Sequence, residues 1–154
     1  MIKIIAPGKI KDKHMAALID DYVKRINHYH KLEIVEVKDE TISANNSDDH
    51  IKQKEAERIL NKIAPSDYVV CLDLNGKMMD SIEFSQAIEK LTERSCDTDF
   101  IIGGSLGIHE CVLERSNATL KLSPMTFLHQ MTRLILLEQI YRAFKILHHE
   151  TYHK

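Results

Sequence analysis

Phe100 Ile101 Ile102 Gly103 Gly104 Ser105 Leu106 Gly107 is the stretch on which the fold turns. Three apolar residues that run into glycines read as a buried strand ending in a bare loop. With no Cβ and easy access to φ > 0, glycine lets backbone N–H and C=O groups come close to a ligand at such a place. Further along, Thr119 to Leu122 reads as a second strand, Leu122 to Phe127 as a glycine-free loop, and about Leu128 to Leu147 as a long helix. A strand, a bare loop, a strand, a loop and a helix in that order suit a nucleotide-like cofactor.

Towards the N-terminus the same alternation continues. Ile2 to Ala6 reads as a strand, and Asp12 is the expected N-cap of a helix to Asn27 with apolar positions at Met15, Leu18, Ile19, Val23 and Ile26. Leu32 to Val37 alternates like a half-buried strand, and Lys38 to Ser47 is a polar loop. Ser47 or Asp48 caps a helix through Ile63 that Pro65 ends, and Tyr68 to Leu72 is a buried strand with a turn at Asn75 and Gly76. Ser81 is expected to cap a helix over about Ile82 to Arg94, and a short helix follows near Glu110 to Arg115. Strands separated by helices need crossover connections, so the sheet should be α/β and mostly parallel, with helices on both faces and ligands at the carboxyl ends of the strands. The loops after Leu72, Ile102 and Leu122 then converge.

The chain has 154 residues, 44% hydrophobic and 29% charged, which fits one domain over residues 1–154 with a single sizeable core. Its short apolar start is broken by Lys3, Pro7 and Gly8, so neither a signal peptide nor a membrane span is expected, and the protein reads as cytoplasmic. Three widely spaced cysteines suit neither a disulfide framework nor a metal knuckle. The histidines His148, His149 and His153 lack a third ligand in the right place, so no metal is expected. A formal net charge of −2 argues against nonspecific coating of nucleic acid, so any RNA partner must be held by local patches.

The last helix carries an apolar arc of about 180°, built from residues such as Leu134, Leu137, Ile140, Tyr141 and Phe144, and this is more than one sheet face covers. Met131, Ile135 and Ile146 interrupt its polar side as well. A homodimer burying part of this helix is the expected second partner. Arg133 falls inside the arc and must have a partner or line a site.

Taken together, Gly8 Lys9, Leu72 with Asn75 Gly76 Lys77, Ile102 Gly103 Gly104 with Gly107, Leu113 with Arg115 Ser116, Ser123 with Met125 Thr126 Phe127, His129 Gln130 Met131 with Arg133, Glu138 Gln139 with Tyr141 Arg142 Ala143, and the ending Tyr152 His153 Lys154 resemble, end to end, one known family. It is the small bacterial SPOUT, or α/β-knot, methyltransferases that methylate N3 of a pseudouridine in large-subunit ribosomal RNA. The resemblance implies a deep C-terminal trefoil knot, a homodimer, and S-adenosylmethionine held largely by backbone. The corresponding cofactor positions are Leu72, Gly103, Leu122, Ser123, Pro124, Met125, Thr126 and Phe127, and Leu72, Leu122 and Met125 can sandwich an adenine. Leu106 and Leu128 depart from the family pattern, which usually has a small or amide residue at the first position and proline at the second.

Methyl transfer to a ring nitrogen requires the N3 proton to leave, so the site needs a base or donors that stabilise the anion. His129 and His153 are both candidates for the base. The resemblance favours a site assembled across the dimer from Glu138, Arg142 and the tail residues Tyr152, His153 and Lys154, which would hold the RNA by stacking and phosphate contact. Two other classes stay open: a catalytically silent knotted protein that binds ribosomal RNA as an assembly factor, and a nucleotide-dependent hydrolase. The latter lacks a nucleophile or phosphate-binding lysine after the glycines.

Overall fold

A computed structural model describes all 154 residues. The elements in chain order are β1 (Ile2–Pro7), α1 (Lys13–Ile26), β2 (Leu32–Val37), α2 (Asp48–Leu60), β3 (Tyr68–Met78), α3 (Ser81–Thr92), β4 (Thr98–Ile101), α4 (Glu110–Arg115), β5 (Ala118–Lys121) and α5 (His129–Leu147). The five strands form one sheet in the order β2-β1-β4-β3-β5, and every neighbouring pair is parallel.

Period-2 alternation along the central strands feeds two cores. Ile2, Ile4, Ala6, Val70, Phe100 and Ile102 face one side, where they pack with Ile19 and Ile26 of α1, Phe84 and Ile88 of α3, and the buried stripe of α5. Ile5, Val69, Cys71 and Ile101 face the other side and pack with Ala56 and Ile59 of α2 and Val112 of α4. Helices therefore cover both faces, as crossover connections require.

The local start and stop signals act largely as expected. Asp12 Oδ1 accepts the Met15 N–H at 2.8 Å and Ser47 Oγ that of His50 at 3.2 Å, so both residues cap their helices. The α3 cap differs from expectation. Asp80, not Ser81, holds it, and a reciprocal capping box with Glu83 supplies two bonds where serine would offer one.

Asn75 and Gly76 also differ, because they lie inside β3 and not in a turn after it. The pairing with β5 slips between Leu72 and Lys77, so β3 continues beyond a bulge. Gly76 is required there for close approach, since a Cβ would sit 2.7 Å from the Leu120 carbonyl carbon.

The wide arc of α5 has a covering inside the chain. It packs against both α1 and α3 as well as the sheet, which buries Leu136, Leu137, Ile140, Tyr141, Ala143 and Phe144. The arc alone is therefore no argument for a second subunit. Leu128 and Met131 stay exposed. No helix is long and apolar enough to cross a membrane.

Candidate active site

The carboxyl ends of β3, β4 and β5 border a cleft of about 710 Å³. Three connections wall it: the β3 bulge from Leu72 to Asn75, the β4–α4 loop from Ile102 to Ile108, and the β5–α5 loop from Lys121 to Leu128. Leu72, Gly103, Leu122, Ser123, Met125, Thr126 and Phe127 all line it, as does His129 at the first position of α5. Pro124 is in the same loop but not on the cleft wall. Leu106 lines the cleft through its loop, and Leu128 lines it from the N-cap of α5.

The glycine loop is built on its own contacts. Gly107 donates its N–H to the Gly104 carbonyl at 3.0 Å, and its φ of +87° suits only a residue without a Cβ. A Cβ on Gly103 would lie 2.7 Å from the Gly107 carbonyl carbon, and one on Gly104 would run into the buried Glu55 carboxylate. The glycines thus permit tight closure of the loop onto itself and onto α2, and bareness toward a ligand is secondary. In the opposite loop, Ser123 Oγ accepts the Met125 N–H at 3.0 Å, which turns the chain without glycine.

His129 opens α5 and is half-buried. Its Nδ1 is buried with no hydrogen-bond partner, and burial together with the neighbouring Arg133 charge pulls the imidazole below the usual histidine value. Both effects favour the neutral imidazole, whose ring lines the cleft while Nδ1 itself stays buried. Arg133, one turn later, is 1% exposed. It donates to Glu36 Oε1 at 2.9 Å and to the Pro7 and Gly8 carbonyls at 3.2 Å each, which answers the expectation that it needs partners.

The other expected catalytic residues form a separate cluster farther along α5. Arg142 donates through Nε to Glu138 Oε1 at 3.1 Å and closes an i, i+4 ion pair. Its guanidinium lies 4.7 Å over the Tyr152 ring, and the Tyr152 hydroxyl donates to Glu138 Oε1 at 3.2 Å. His153 Nδ1 is 3.4 Å from Arg142 Nη1. Burial, with Tyr22 and Glu138 nearby, pushes the Tyr152 hydroxyl far up, so it stays a neutral donor. The tail is thus folded back on its own α5, with the Tyr152 and Tyr141 rings 5.0 Å apart. Within one chain this cluster does not meet the cleft: Glu138 is nine positions beyond His129 on α5, about 14 Å along the axis.

Sequence reasoning missed Asp73, Asn75 and Thr132, which also line the cleft. Thr132 carries the i+3 spacing from His129, a signal that was available on the helix wheel. Asp73 and Asn75 come into position only through the β3 bulge, which no pattern announces.

A cleft walled by backbone-rich loops, apolar on one flank and with a neutral imidazole at its mouth, can bind a flat, uncharged ring and take up a proton beside it. Over residues 1–153 the chain matches the family model described as "Predicted SPOUT methyltransferase". Among solved structures it is similar to a probable methylase family protein from Haemophilus influenzae Rd KW20, at 12% identity over 99% of this chain and 70% of that one, with a TM-score of 0.54. At such identity the likeness is one of fold.

Proposed function

The chain belongs to the SPOUT methyltransferase family, and from that membership we propose that it moves the methyl group of S-adenosylmethionine to N3 of a pseudouridine in large-subunit ribosomal RNA. What carries the reading is the convergence on one cleft of Leu72, Gly103 and the loop from Leu122 to Phe127. Those are the positions that the family resemblance marks for the cofactor. Their chemistry fits it: Leu72, Leu122 and Met125 offer apolar faces to an adenine, and the loop backbone offers donors and acceptors to its edge. The trefoil knot and the single domain over 1–154 are parts of the same proposal, as is work on ribosomes in the cytoplasm.

When bound, the cofactor supplies an electrophilic methyl group. The chain's own residues have to bring the acceptor nitrogen in line with it and accept the N3 proton. Neutral, unpartnered His129 is suited to that proton. Glu138, Arg142, Tyr152 and His153 belong to this site only if a twin chain presents them, which is why the proposal includes a homodimer. Leu74, Met125, Phe127 and Leu128 are exposed apolar side chains on the rim of the cleft and provide a surface for that twin.

Mass spectrometry of ribosomal RNA from a strain lacking the protein tests the substrate. The proposal expects one methyl group missing from one pseudouridine and restored by the gene. An unchanged methylation pattern would refute it.

A further inference from the structure

We infer that the segment Lys9 to His14, with the cleft behind it, holds the RNA strand flanking the acceptor nucleotide: phosphates on the lysines and one base in the cleft. This rests on the reading of the substrate as RNA.

Lys9, Lys11, Lys13 and His14 are all exposed, packed into six residues of a chain whose formal net charge is −2. None of the chain's ion pairs involves these lysines. The one acid among them, Asp12, spends its carboxylate on the cap of α1. Other lysines without an ion pair, such as Lys52, Lys62 and Lys90, are spread singly, whereas Lys9, Lys11 and Lys13 stand together beside the cleft. A compact row of unpaired lysines is an electrostatic footprint for polyanion.

The segment is fixed beside the cofactor cleft. Arg133 clamps the carbonyls of Pro7 and Gly8, Gln130 Nε2 reaches the Lys9 carbonyl at 3.5 Å, and Gly8 donates to the Val37 carbonyl at 2.9 Å. Behind it is a second cleft of about 410 Å³, floored by Ile10, Ala16, Ile19 and Ile34 and edged by Lys9 and Glu36. Arg133 borders this second cleft and His129 the first, so one turn of α5, about 6 Å, separates them.

Charge decides what goes where. The second cleft sets two carboxylates, Asp20 and Glu36, against two cations, Lys9 and Arg133, so it offers a phosphate no net attraction. It suits a neutral base, whose N–H groups find Glu36 Oε2 still free after Oε1 takes Arg133. The phosphates fall on the exposed lysine lip.

The test uses the whole protein, ribosomes from a strain lacking it, and a series of salt concentrations. A Lys9→Gln, Lys11→Gln, Lys13→Gln triple variant should raise KM for ribosomes at least tenfold. It should also flatten the log–log salt dependence by roughly 2 to 3, about one step per lost phosphate contact. Ala16→Leu, which fills the second cleft, should raise KM without changing that slope, and Ala16→Gln serves should the leucine variant fail to fold. Calorimetry should give all of them the wild-type Kd for S-adenosylmethionine. A triple variant with wild-type KM and slope overturns the lysine site, and an Ala16 variant with wild-type KM removes the base from the cleft. If the wild-type protein methylates no RNA, the proposed function has failed instead, so the two failures are distinguishable.

Discussion

His129 lines the cleft and is the base in the proposed reaction, and its electrostatics set a direction. Burial and Arg133 hold its pKa below about 6.5, and a base works deprotonated, so turnover should rise with pH through that lowered value and then level off. His129→Gln should abolish this acid limb and cut turnover by roughly 10² to 10⁴. An unaltered acid limb in the variant would remove His129 from the proton path. At the opposite end of the strands, Lys3 lies between Asp67 at 2.7 Å and Asp99 at 3.1 Å. Burial pushes the Asp99 carboxyl up to about 6, and Lys3 offsets that only in part, being near enough to attract but not aligned for a hydrogen bond. A carboxyl whose folded pKa exceeds its unfolded value contributes stability at acid pH and loses it as pH rises through the folded value. Wild-type stability relative to Asp99→Asn should therefore fall between about pH 4 and pH 6 and be level above about pH 7, as read by urea unfolding. A flat difference would contradict the buried charge. None of this cluster was legible in the chain, because strand register alone brings residues 3, 67 and 99 together. Arg133 was legible, since a cation inside an apolar arc demands partners wherever they lie.

Among the elements, the strand and helix patterns announced themselves through periodicity and caps, and the sheet's parallel sense followed from helix-length connections. The misreadings have one cause: contacts distant in sequence overrode a local signal. Asn-Gly is a strong turn dipeptide, yet Gly76 serves the approach of β5, and β3 runs on through a bulge. The glycines after β4 do line the cleft, although their tight packing on Glu55, Gly107 and Ile108 explains them better than ligand access. The start of α5 offers a stabilising change. Leu128 caps the helix with no side-chain bond, and its φ of −57° is already that of proline. Leu128→Pro should stabilise the fold by about 0.4–1 kcal/mol by restricting the unfolded chain, seen as a rise in Tm of a few degrees. A lowered Tm would mean that the cap needs freedom or an N–H that proline lacks.

For the molecule as a whole, the issue is that His129 and the Glu138, Arg142, Tyr152 and His153 cluster are about 14 Å apart along one helix, so a single chain cannot bring them to one acceptor base. The family resemblance supplied these residues as a group assembled across a dimer; spacing on the helix carries no such information. Mixing a His129→Gln chain with one lacking Tyr152 to Lys154 gives hybrid dimers in which one of two composite sites is intact. If each is inactive alone, the mixture should recover up to about a quarter of wild-type turnover by random pairing. No recovery would confine the site to one chain. The claim beneath all of this is that the β3 bulge and the loops after β4 and β5 enclose the methyl donor. Backbone amide NMR during titration with S-adenosylmethionine measures it most directly. The account predicts shifts concentrated at Leu72, Gly103 and the residues from Leu122 to Phe127, with the lysine row from Lys9 to Lys13 unmoved. Saturating donor that leaves those amides in place, or moves others instead, would contradict it.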